Sequence, residues 1–286
     1  MARLLRAGAR RYLKSAVFYI GLLAAFLGGM YVGTLENPDP NCHLILAAAV
    51  VVVMTLQIGR EYSDGGFRNK LIAGHKKGTV FWSEGLLSAA VLLVYLIAYC
   101  GGFLLTGATA YAETPTAVLL LCAAAAGVCG LCFLCVGFFF SMLISNKAVA
   151  AVVNLLLIVA LSVPVYTMAV ALMPEATYTT YEMQEKDGKA ELVAVEVENP
   201  NYVGGVRRKV YTAAVQVSPF GQGIEQWTLQ KIYRAAKTYD KDSPYASDAF
   251  LEEQRKETAF TPQYALALAG ILLAAGCAGF CKKDMK

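Results

Sequence analysis

The chain has 286 residues, of which 57% are apolar or aromatic and only 16% charged, with a mean hydropathy of +0.50. An ordinary soluble domain carries roughly 25% charged residues, and here the charge is bunched between long uncharged stretches, which excludes an ordinary soluble domain. The net charge of +4 comes from bases flanking the apolar stretches, so it argues for membrane topology and against a nucleic-acid partner.

The first element follows a basic start, Arg3, Arg6, Arg10, Arg11 and Lys14, and runs over residues 16–33. It is long, glycine-rich and uncharged, with no small-residue cleavage site, so it reads as a retained helix rather than a signal peptide. Gly29 and Gly33 form a Gly-x-x-x-Gly pair, the spacing that lets two membrane helices approach closely, whether within the chain or at a subunit interface. Further apolar spans follow at residues 42–59, 84–106, 116–141, 149–173 and 261–280. Each approaches the ~20 residues that an α-helix needs to cross the hydrocarbon core. Helices are required because backbone groups in lipid must pair within the segment.

The connections alternate in sign. Bases precede span one, Glu36 and Asp39 follow it, and Arg60, Arg68, Lys70, Lys76 and Lys77 follow span two. Glu113 follows span three, Lys147 follows span four, and Lys282, Lys283 and Lys286 follow span six. With the basic side cytoplasmic, both termini are inside, the parity that six crossings demand. The expected fold is an all-α membrane protein of six transmembrane helices with a mixed α/β or helical extracytoplasmic segment between helices five and six. Residues 1–173 hold helices one to five, 174–260 the external segment, and 261–286 the sixth helix and a cytoplasmic tail.

In the external segment, Glu191 to Glu198 alternates as a short strand, Asn199-Pro200-Asn201 signals a turn, and Val206 to Val217 reads as helix or strand. Ser218-Pro219-Phe220-Gly221 breaks it, and Ile224 to Ala236 has the spacing of an amphipathic helix. Tyr178, Tyr181, Tyr202 and Tyr211 have the character of membrane-interface anchors or of the core of a small external domain, and the core is the favoured reading.

Three features inside the spans carry polar or reactive groups. Cys129, Cys132 and Cys135 recur every third residue, which thiolate metal binding would use, but small apolar residues at a packed helix face are the favoured reading. Pro164 is expected to kink span five. Asn154 is the strongly polar residue of that span, and its role is open. No acid or base is placed deep in a span, and His43 and His75 are too far apart to pair, so no catalytic residue, metal or cofactor is expected.

The connection over residues 60–84 is more than a linker. Phe67, Leu71 and Ile72 have helical spacing, Asp64 can cap, Gly65-Gly66 gives a bend, and Gly74 ends the element. Gly59-Arg60-Glu61-Tyr62-Ser63 and the run from Gly65 to His75 resemble the first cytoplasmic loop of bacterial ABC-2 type transporter permeases. Asn199-Pro200-Asn201-Tyr202-Val203 and Phe220-Gly221-Gln222-Gly223 resemble Gram-positive members. The resemblance implies a membrane-spanning exporter subunit in the bacterial cytoplasmic membrane, paired with a second permease copy or homologue and with separate cytoplasmic ABC ATPase chains. Glu61, Arg68, Asn69 and Lys70 would face the ATPase, with Gly65 and Gly74 shaping the element. The chain has no Gly-x-x-x-x-Gly-Lys-Ser/Thr run of its own. A hydrophobic, peptide or lipid-like substrate is expected among membrane lipids. The alternative is a multispan sensory or structural protein with an external ligand-binding domain.

Overall fold

The computed structural model describes residues 1–35, 43–107, 116–174, 176–186, 189–221, 223–224 and 262–284. Its six apolar helices are α2 (Ala16–Thr34), α3 (His43–Ser63), α5 (Lys77–Gly107), α6 (Thr116–Leu143), α7 (Lys147–Leu172) and α9 (Pro262–Lys282). All six are long and apolar enough to cross a membrane, so the chain is a multi-spanning membrane protein. Three shorter helices accompany them: α1 (Ala2–Leu13), α4 (Gly66–Ile72) and α8 (Gly205–Val217).

Burial ranks the spans. About 61% of α3 and 56% of α6 is covered by protein, against 28% of α5 and α7 and 22% of α9. The bundle is therefore built around α3 and α6, while the others turn one face outward. Ile20, Leu23 and Leu27 on α2, Leu93, Ile97 and Leu105 on α5, and Leu156, Val159 and Val163 on α7 are exposed. A soluble protein would hide such rows, whereas lipid is their natural solvent.

The seam between α2 and α5 is made by glycine. A Cβ on Gly29 would collide with the Tyr99 carbonyl, one on Gly33 would sit 2.8 Å from the Phe103 carbonyl oxygen, and Gly102 returns the favour against Met30 N at 3.0 Å. The backbones thus touch, as Gly-x-x-x-Gly pairs allow. Thr106 Oγ1 donates to the Met30 carbonyl (2.8 Å) and the Tyr95 hydroxyl to the Phe18 carbonyl (2.6 Å). The Gly29–Gly33 face is consequently occupied inside the chain.

Between α7 and α9 lie β1 (Thr177–Lys186) and β2 (Lys189–Glu198), an antiparallel hairpin in which Thr177 faces Glu198 and Lys186 faces Lys189. Asn199 then makes the expected turn, its Oδ1 accepting from Asn201 N at 3.0 Å. Residues 205–217 form a helix, α8, which packs on α7 and α9, and the chain breaks at Ser218 as the sequence implies. The continuation of the amphipathic stretch past Ile224, and the acidic connections holding Glu36, Asp39 and Glu113, lie outside the described residues. Tyr178, Tyr202 and Tyr211 do not form a core. Tyr178 and Tyr202 are exposed, Tyr202 lies under the Arg208 guanidinium, and the Tyr211 hydroxyl accepts from Arg207 Nη2 at 2.8 Å. A two-stranded hairpin has no second layer to bury them against.

Candidate functional site

The basic connection folds as α4, a two-turn helix bracketed by two left-handed glycines. Gly65 at its N-cap has φ +69° and Gly74 just past its end has φ +86°, a conformation costly for other residues. Asp64 supplies no side-chain cap. At the other end His75 N donates to the Lys70 carbonyl and Gly74 N to the Leu71 carbonyl, the reciprocal pair that closes a helix on a glycine.

α4 has two faces. Phe67 is fully buried, edge-on to Tyr62 (4.7 Å between ring centres) and to Phe280 of α9 (5.6 Å). Phe280 in turn meets Phe81 of α5 at 6.0 Å. The opposite face carries Arg68, Asn69, Ile72 and Gly74, all exposed, with Ile72 at 74%.

Beside Phe67 sits a four-charge cluster drawn from four elements. Lys70 Nζ of α4 lies 2.8 Å from Glu61 Oε2 of α3 and 2.6 Å from Glu84 Oε1 of α5. Arg11 of α1 pairs with Glu61 and reaches Glu84 at 3.6 Å. Both carboxylates are buried. Two positive charges balance two negative ones, the condition under which buried ions are tolerated. Burial pulls the Lys70 ammonium below its ordinary value, and the Glu84 carboxylate pulls it back up. Gly66 keeps this packing possible, since a Cβ there would run into the Glu61 carboxylate.

The C-terminal end of α9 docks on the same junction. Lys283 Nζ donates to the Tyr62 hydroxyl (3.1 Å) and the Leu143 carbonyl (2.9 Å), and the Tyr62 hydroxyl donates to the Met142 carbonyl. Lys77 Nζ donates to the carbonyls of Cys281 (3.1 Å) and Lys283 (2.7 Å), satisfying the exposed end of α9. The N-terminal helix, α4 and the end of α9 therefore meet at one end of the bundle.

The site residues named from sequence thus divide. Arg68, Asn69 and Gly74 lie on the exposed side, Glu61 and Lys70 turn inward into the ion cluster, and Gly65 sets the entry angle. Two members of the cluster were not singled out. Arg11 reads as one base among several until α1 is seen to be amphipathic, with Leu4, Gly8 and Tyr12 buried at spacings of four. Glu84 is placed at the edge of a span by hydropathy, but α5 begins at Lys77, so this carboxylate lies two turns inside the helix and is buried. Glu84 thus lies near the end of the span and not deep in it, and Lys70 and Arg11, from other elements, supply its countercharge.

A second polar group lies deeper along α3. Asn154 Nδ2 of α7 lies within hydrogen-bond distance of Thr55 Oγ1 of α3 (2.8 Å), Ser141 Oγ of α6 (2.8 Å) and the Gly137 carbonyl (3.2 Å), and its two hydrogens are shared among them. Ser141 and Thr55 Oγ are 3.1 Å apart, and Thr55 donates to the Val51 carbonyl at 2.7 Å. All three side chains are buried, so Asn154 ties together three helices where water does not reach. Helix α7 starts cleanly because Asn146 Oδ1 accepts from Ala148 N (2.9 Å) and Val149 N (3.3 Å). It continues as helix past Pro164, which is exposed. Cys132 and Cys135 pack against Ala265 and Ala269 of α9, and Cys129 faces the main core. Among the described residues no group of three or more His, Cys, Asp or Glu is placed to hold a metal ion.

No family model, no curated protein and no solved structure matches this chain.

Proposed function

We propose that the chain is the membrane-spanning permease subunit of an ATP-driven exporter of the ABC-2 type, and that the outer face of α4 is where a separate cytoplasmic ATPase chain docks. The observation that carries this reading is the two-sidedness of α4. Its outer face offers a cation, an amide and an exposed isoleucine, while its inner face is fastened to α3, α5 and α9 through Phe67 and Lys70, and to α1 through the carboxylates that Lys70 shares with Arg11. Displacement of α4 by a partner is therefore felt by four other elements at once, and coupling requires different contacts in two states of this kind. The basic end of the bundle is cytoplasmic in this reading, by the sorting of Lys and Arg. ATP hydrolysis belongs to the partner, a second permease copy or homologue completes the path, and hydrophobic, peptide or lipid-like molecules are the substrates.

Purification of the tagged chain from its native membrane tests this. An ATPase chain should co-purify with the wild type and be lost from Arg68→Glu combined with Ile72→Asp, with the thermal unfolding of the variant unchanged. Absence of any ATPase from the wild-type preparation contradicts the reading. It would favour a sensory or structural protein instead, for which the packing of α8 on α7 and α9 supplies a route from the outer segment into the bundle.

A further inference from the structure

The N-terminal helix has an outer face that the ion cluster does not use. At 3.6 residues per turn, Arg3, Arg6, Arg10 and the C-capping Lys14 fall within about 80° of one another around α1. All four are exposed, while Leu4, Gly8 and Tyr12 on the other side are buried. Helix α1 contains no acid. Arg3–Arg6, Arg6–Arg10 and Arg10–Lys14 are like-charged neighbours at spacings of three and four, an arrangement that destabilises a helix unless anions are supplied from outside. The nearby acids cannot supply them, because Glu61 and Glu84 are committed to Arg11 and Lys70. Among the described residues none of the four cations has an ionic partner.

Chain connection fixes where this face is. Only Lys14 and Ser15 separate α1 from the first membrane helix, and the Tyr19 hydroxyl donates to the Leu13 carbonyl at 2.9 Å, tying the last turn of α1 to the first turns of α2. Leu13 and Tyr19 are both exposed, an apolar and an aromatic side chain at the level where a membrane helix leaves the hydrocarbon. With α2 crossing the bilayer, this connection keeps the cations near the level at which that helix leaves the hydrocarbon.

We infer that the outer face of α1 is a binding surface for anionic phospholipid headgroups of the leaflet at that end of the bundle. The geometry suits several phosphodiesters side by side rather than one enclosed anion, since the four exposed cations are spread along three helical turns. This surface is independent of what the chain transports and of any partner on α4.

The test uses the full-length protein in detergent micelles, titrated separately with phosphatidylglycerol and phosphatidylcholine and read by native mass spectrometry. The wild type should retain phosphatidylglycerol at least tenfold more strongly, since each cation near an anionic surface is worth roughly fivefold. The variant Arg3→Gln/Arg6→Gln/Arg10→Gln should lose most of that preference, and Arg3→Lys/Arg6→Lys/Arg10→Lys should keep it. Millimolar inorganic phosphate should not displace the lipid. Equal retention of the two lipids by the wild type, an undiminished preference in the glutamine variant, loss of preference in the lysine variant, or displacement by inorganic phosphate would each overturn the inference.

Discussion

Two polar layers are stacked along α3 and differ in kind. The outer one, Glu61 with Glu84, Lys70 and Arg11, is ionic and joins four elements at the end of the bundle. The inner one, Thr55 with Ser141 and Asn154, is neutral and joins three helices. Six residues separate Glu61 from Thr55, about 9 Å at 1.5 Å per residue. Over that distance the molecule exchanges ions for amides and hydroxyls. An unpaired charge is far more expensive in a low-dielectric interior than an imperfectly satisfied amide, so the charged layer stays where Arg11 still reaches water.

The sharpest way to break this comparison is to unbalance the ionic layer. Glu84→Ala leaves two buried-side cations sharing one carboxylate and is expected to cost about 3–5 kcal/mol, read as a drop in the thermal unfolding temperature of the solubilised protein. Glu84→Gln with Lys70→Met should recover most of that loss, because Arg11 and Glu61 remain as a neutral pair. If the double variant is no better than Glu84→Ala, the layer is not held by charge balance. Next in size is the glycine seam, which lies in neither layer and serves as the packing reference. Gly29→Ala drives a methyl group into the Tyr99 carbonyl and should cost about 1–3 kcal/mol in the same measurement. The neutral layer should respond less. Asn154→Ala leaves Thr55 and Ser141 able to bond each other and is expected to cost only about 1 kcal/mol; a loss matching Glu84→Ala would erase the distinction between the layers. Arg68→Glu, at a residue that is exposed and has no ionic partner among the described residues, should change stability by less than about 0.5 kcal/mol while weakening retention of the ATPase chain.

The membrane spans were legible because hydrophobicity is local: a run of twenty apolar residues announces itself without knowledge of its neighbours. The same holds for α4, whose brackets Gly65 and Gly74 are backbone requirements written in single residues, and for β2, whose alternation is visible in Glu191 to Glu198. What was not legible depends on partners distant in the chain. Glu84 finds Lys70 fourteen residues back, and only a helix starting at Lys77 puts it inside the bundle. Helix α1 hides behind its arginines, because its apolar stripe includes Gly8, which hydrophobicity does not mark and which is needed to let Leu87 approach. The first strand of the hairpin, rich in Thr and Tyr but without clear alternation, acquires its identity from pairing with β2.

The central claim is that α4 and both chain ends share one side of the membrane while the hairpin segment occupies the other. The direct measurement is labelling with a membrane-impermeant thiol reagent in intact cells, using one introduced cysteine at a time, Arg68→Cys or Tyr202→Cys, with all eight native cysteines replaced by serine. Tyr202→Cys is predicted to label in intact cells and Arg68→Cys only after permeabilisation; labelling of both from the same side would contradict the account.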